Sequence, residues 1–284
     1  MKFTYFISFL SLATPILTQA ESIPDQSQCL ATREFVTALE FLRADDAFKL
    51  KDPEGRELAF KIAEGCTGAA KRFIRISKSL TAAGANRRDL TRVGLQFAIG
   101  TDAETDAFNT AFSRAIAEDS LDLDFDTSLK IAFSLSKEFS GDLKKVRDDF
   151  SQIVDFCAND QLLGLPRSEC GPFAAKIARM GERWKDGVSR PFIDTFQYLK
   201  SDSGPHLTTG DALKIAENLI SQGAGGPENF KLAYQYGMSN SGLNLPRGEA
   251  IQFSKKLSAL TRVEQKKDLK TEGLKSAPAK TRSL

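Results

Sequence analysis

The chain has 284 residues, 41% hydrophobic and 27% charged, with 39 basic and 37 acidic side chains and a formal net charge of +2. This composition excludes a largely disordered or collagen-like chain, and the near-neutral balance does not point to nucleic-acid binding. A single histidine, His206, excludes most triads and metal centres that draw on two or three imidazoles.

Residues 1–20 read as a secretory signal peptide. Lys2 supplies the positive start, Phe6 to Leu17 the apolar run, and Thr18-Gln19-Ala20 the small residues before cleavage. The apolar run is too short and interrupted to span a bilayer comfortably. No cysteine stands at the cleavage point for lipid attachment, and no second long apolar run follows. The expectation is a secreted or periplasmic protein with no integral membrane segment. Residues 21–32 are a lead-in to the fold.

From residue 33 to 261 the chain repeats itself. LPRSECGPFAAKIA from Leu165 aligns with LPRGEAIQFSKKLS from Leu245, and weaker copies begin at Leu50, Ala85, Leu123 and Leu207. These six anchors are spaced by 35, 38, 42, 42 and 38 residues. Fifteen residues before them stand Phe35, Ala70, Phe108, Phe150, Phe192 and Phe230. Twelve after them stand Ile62, Phe97, Leu135, Ile177, Leu219 and Leu257, and the residue nine after is small every time. On both sides of the anchor the apolar positions advance in steps of three and four, the spacing of one helical face. Breakers such as Ser203-Gly204-Pro205 precede the anchor, and capping signals such as Thr208 with Asp211 follow it.

Each unit is therefore predicted to be two antiparallel helices joined by a short turn. One such hairpin cannot bury its apolar faces alone, whereas a stack can. The predicted fold is all-α, an α-solenoid of six antiparallel helical-hairpin repeats of about 35–42 residues; a globular bundle built by duplication is the alternative. Residues 262–284 carry seven basic and three acidic residues and no aromatic, and read as a disordered basic tail.

Four cysteines in an exported chain suggest disulfides. Facing positions of an antiparallel hairpin are symmetric about the turn, which selects Cys29–Cys66 in the first unit and Cys157–Cys170 in the fourth.

Two groups stand out as candidate partner-binding residues. The second unit concentrates Lys71, Arg72, Arg75, Lys78, Arg87, Arg88 and Arg92, with Lys71, Arg75 and Lys78 on one helical stripe, and all of these but Arg72 are the candidates for an acidic partner. Phe41, Phe156, Tyr198 and Tyr236 share the position nine before the anchor, where they either receive a peptide or seal one unit against the next. Asp122, Asp124 and Asp126 begin like a calcium loop, but Thr127 and Phe133 stand where glycine and glutamate are needed. Gly223, Gly225 and Gly226 follow a helix rather than a strand and read as a helix stop, not a phosphate loop. No metal or cofactor is expected.

The functional expectation is an exported, non-enzymatic helical-repeat scaffold that binds a protein or peptide. The alternatives are a glycan-directed hydrolase using a carboxylate pair, and a structural surface-assembly protein.

Overall fold

The structure is a computed structural model that describes residues 31–44, 48–139, 141–158, 162–181 and 184–260. The expected signal peptide, most of the lead-in, the basic tail and Cys29 lie outside these residues. The described residues form twelve α-helices and no strand. In order they are α1 (Ala31–Arg43), α2 (Asp52–Ala63), α3 (Ala69–Ala82), α4 (Arg87–Ala98), α5 (Asp102–Ile116) and α6 (Phe125–Ser136). They continue with α7 (Leu143–Ala158), α8 (Arg167–Met180), α9 (Ser189–Lys200), α10 (Thr209–Ser221), α11 (Gly225–Met238) and α12 (247–260). All six sequence anchors fall between an odd-numbered helix and the even-numbered helix after it.

Consecutive helices pack together as α1 on α2, α3 on α4, α5 on α6, α7 on α8 and α9 on α10. The odd helices also pack in series, α1 on α3, α3 on α5, α5 on α7 and α7 on α9.

A backbone device recurs at the anchors. The preceding residue adopts positive φ every time: Lys49 (54°), Gly84 (77°), Asp122 (52°), Gly164 (60°), His206 (50°) and Asn244 (47°). That left-handed step turns the chain off the first helix. In four units it lets the anchor N–H donate to the carbonyl eight residues back, Leu50 to Leu42 (3.0 Å), Leu123 to Ala115 (2.9 Å), Leu207 to Leu199 (2.8 Å) and Leu245 to Gly237 (2.8 Å). A helix end otherwise leaves such carbonyls without an intrahelical partner. Asp122 thus serves the turn, and Asp124 caps α6 by accepting from the Thr127 N–H at 2.9 Å.

Glycine holds the left-handed conformation at no steric cost, whereas lysine is strained there. Lys49→Gly is expected to raise stability by about 0.5–1 kcal/mol, after the larger entropy loss of glycine on folding is subtracted. Thermal unfolding followed by circular dichroism would show Tm rising by about 1–3 °C. An unchanged or lower Tm would mean that the turn conformation is relieved some other way.

The first turns of α4 and α10 are also capped as their sequences suggest. Asn86 accepts from the Asp89 N–H at 3.0 Å and Thr208 from the Asp211 N–H at 3.2 Å. The core is built of phenylalanine and alanine. Phe73, Phe97, Phe108, Phe150, Phe192 and Phe230 are at most 1% exposed. The small residues nine after the anchors let these rings approach: a Cβ on Gly94 would lie 2.6 Å from the Phe73 ring.

Cys157 and Cys170 form the expected disulfide between α7 and α8, with Cα atoms 5.7 Å apart. Closing that short loop is worth about 3 kcal/mol through chain entropy. Cys66 is also disulfide-bonded.

Two buried carboxylates join one odd helix to the next. Glu34 of α1 accepts from the backbone N–H groups of Gly68 and Ala70, at 3.0 and 2.8 Å, across the start of α3. Asp149 of α7 accepts from the N–H groups of Val188 and Ser189, at 3.0 and 2.9 Å, across the start of α9. Both acids stand sixteen residues before their anchors. An anion at a helix N-terminus meets unsatisfied donors and the positive end of the dipole. Arg72 does the converse, donating to the carbonyls of Phe97 (3.1 Å) and Ala98 (2.7 Å) at the end of α4 and of Thr67 (3.0 Å) before α3.

At the start of α5, Glu104 receives Lys137 Nζ at 2.7 Å and the Thr101 N–H at 2.8 Å. Burial pushes this carboxyl up, but these donors outweigh it and hold the group below the usual carboxylate range.

Candidate functional site

The six basic candidates of the second unit do not form one open cationic face. Arg75 pairs with Asp106 of α5 at 2.5 Å, Arg92 with Asp89 at 3.2 Å, and Arg87 donates to the Phe48 carbonyl at 2.7 Å. Lys71, Lys78 and Arg88 are exposed. Ion pairs such as Arg75–Asp106 reach from one unit to the next, so part of this positive charge is spent inside the fold.

The aromatic residues nine before the anchor also reach forward. Phe41 meets Phe73 edge-on with centroids 6.3 Å apart, and Phe156 meets Phe196 in the same way at 5.9 Å. Tyr198 receives Lys231 of α11 over its ring at 5.6 Å. In the last unit Tyr236 has no following helix among the described residues and is 55% exposed.

Tyr198 differs from the two phenylalanines because it lines a pocket of about 350 Å3 between α9 and the start of α11. Trp184, Tyr198 and Phe230 give its aromatic wall, and Asp194, Glu228 and Lys231 its charged groups. The volume lies at the lower end of the range for ligand pockets, and the polar groups of Asp194, Thr195, Glu228 and Lys231 stand beside the aromatic wall.

The wall is held in place from several sides. Trp184 is 8% exposed, its Nε1–H donates to the Ile220 carbonyl at 3.3 Å, and its own carbonyl accepts from Lys145 Nζ at 2.6 Å. Thr195 closes onto the Pro191 carbonyl at 2.6 Å. The Tyr198 hydroxyl is buried without a hydrogen-bond partner. Burial, helped by Tyr234, pushes its pKa up to about 12. It therefore stays a neutral donor throughout the physiological range.

Asp194 and Glu228 share this pocket, which bears on the hydrolase alternative. A general acid needs an apolar enclosure. The Asp194 side chain is instead 68% exposed and lies 3.8 Å from Arg190. Among the described residues no group of three or more histidine, cysteine or acidic side chains could hold a metal ion, and no helix is long and apolar enough to cross a membrane.

Sequence reasoning reached Tyr198 but not its neighbours. Trp184 sits in a link where the unit has no repeated position, so periodicity could not place it. Its one signal was being the lone tryptophan of a chain with 21 phenylalanines.

No protein-family model matches the chain, and no curated protein or solved structure matches it.

Proposed function

We propose that the protein is an exported scaffold, an α-solenoid of six antiparallel helical hairpins, that binds a protein or peptide by one anchoring side chain in the Trp184–Tyr198 pocket. The serial packing of odd helices and the six repeated turns support the solenoid reading. The disulfide between Cys157 and Cys170 supports export, because such bonds persist in oxidising compartments. The observation that carries the binding reading is the aromatic pocket rimmed by both signs of charge. Protein partners gain most of their affinity from a few large side chains seated in desolvated pockets.

Trp184 makes the reading testable, since it is the only tryptophan and lines the pocket. A peptide library selected on the mature, oxidised protein is expected to yield binders that shift Trp184 emission. Ala224→Trp places bulk at an exposed lining residue and is expected to weaken those binders at least tenfold, with helicity unchanged. Its added tryptophan is separated from the Trp184 signal by reading affinity calorimetrically. Selected binders that ignore this change would place recognition elsewhere. Cleavage of glycans by the protein, lost in Asp194→Asn or Glu228→Gln, would favour the hydrolase.

A further inference from the structure

The two ends of the repeat array are unequal to its interior, and the difference is read position by position. The position twelve after the anchor is at most 2% exposed in Ile62, Phe97, Leu135, Ile177 and Leu219, but Leu257 in the last unit is 39% exposed. The position two before the anchor is 3% exposed in Phe48 and 0% in Leu121 and Leu163, but Leu243 is 43% exposed. Tyr236 continues the aromatic series at 55%. In earlier units these positions touch the next unit: Phe97 meets Phe108, Phe48 meets Phe73, Phe156 meets Phe196. Leu232 and Leu260, 54% and 61% exposed, extend the same end.

The first unit shows the complementary half. In the third unit Phe108 and Phe133 receive Phe97 of the unit before, at 4.7 and 5.8 Å. Phe35 and Phe60 occupy the corresponding positions, fifteen before and ten after the anchor. Their rings lie 4.5 Å apart, and Phe60 is 62% exposed with Val36 beside this end at 47%.

We propose that a second copy of this chain docks head to tail, its Phe35–Phe60 pair receiving Leu257 as Phe108 and Phe133 receive Phe97. The inference rests on the solenoid reading, because only a repeated rise makes one end fit the other. Of the nine exposed large hydrophobic residues among the described ones, six (Leu232, Tyr236, Met238, Leu243, Leu257 and Leu260) belong to the last unit, a concentration of the kind that marks an interaction surface. The complementary face of the first unit is smaller, with Phe60 and Val36 as its exposed apolar side chains, so the contact is a modest one that forms at high protein concentration. The contact is heterologous, so each added copy leaves a new free end and the product is an open chain of copies.

The test is sedimentation of the mature protein, with tail and disulfides intact, from about 1 to 300 μM. The expected result is a reversible rise in mass beyond dimer. Phe60→Glu and Leu257→Glu each remove one face and are each expected to stay monomeric, while their equimolar mixture forms a 1:1 dimer through the intact pair of faces. Circular dichroism checks folding, and Tyr236→Glu replaces Leu257→Glu if that variant unfolds. A wild-type chain monomeric across the range overturns the proposal. Dimers abolished by Leu257→Glu but kept by Phe60→Glu also overturn it, since they mark like faces pairing. Small-angle scattering of the monomeric Phe60→Glu variant separates the two readings. An elongated particle keeps the solenoid if assembly fails, and a compact one removes both.

Discussion

Asp149→Ala is expected to lower the unfolding free energy by about 2–4 kcal/mol. The carboxylate is 3% exposed and accepts from the N–H groups of Val188 and Ser189 and from the Ser189 hydroxyl at 2.8 Å. Alanine leaves those donors at the start of α9 buried and unpaired, and each unmet donor there costs about 1–3 kcal/mol. The lost anion at the helix N-terminus adds to this. Asp149→Asn retains one acceptor oxygen and is expected to lose about half as much. Asp148→Ala, next in the chain, removes an exposed pair with Arg147 and is expected to cost less than about 0.5 kcal/mol. Urea unfolding of the three variants checks the order. If Asp149→Ala and Asp148→Ala prove equal, the cap is not what holds α9 to α7.

Arg72 carries the second large effect. Its side chain is 8% exposed, and its guanidinium serves carbonyls at the end of α4 and before α3. Arg72→Met keeps the volume of the stem but strips every donor, leaving at least two buried carbonyls without a partner. The expected loss is about 2–4 kcal/mol. Arg72→Lys restores a charge but not a planar fork, so it is expected to recover less than half. Full recovery by lysine would show that charge near the helix C-terminus matters and the fork does not. The measurement is again urea unfolding, with helicity recorded for each native state.

Both residues show where sequence reasoning stops. Arg72 stands in a run of cations and reads from the sequence as one more member of a basic face. Only its neighbours in space, Phe97 and Ala98, reveal a helix cap. Asp149 follows another acid, Asp148, and nothing local separates the buried one from the exposed one. Glu34 shares its position sixteen before the anchor, but the other four units have no acid there, so comparison within the chain offered two instances and no pattern. The left-handed residues before the anchors were more accessible. Gly84, Gly164, Asp122, His206 and Asn244 are residue types that tolerate positive φ, yet Lys49 breaks the series and hid it.

Helices, turns and the Cys157–Cys170 pairing were readable from the chain because each depends on spacing of a few residues to a few tens of residues. Apolar steps of three and four define a helical face, and symmetry about a turn defines which cysteines meet. Charge pairing and pockets depend on which helix becomes the neighbour, a matter of distances between residues fourteen to nearly fifty positions apart. Arg75 finds Asp106, Arg114 finds Asp155, and Trp184 finds Tyr198 and Phe230 only once the helices are packed. Packing also decides exposure: Leu257 and Leu219 have the same place in the unit, and one is open because no helix follows it among the described residues, while the other is covered. Helical faces and turns were therefore written in the chain, and the tertiary structure alone determined which of the equivalent residues are core, which are cap and which are exposed.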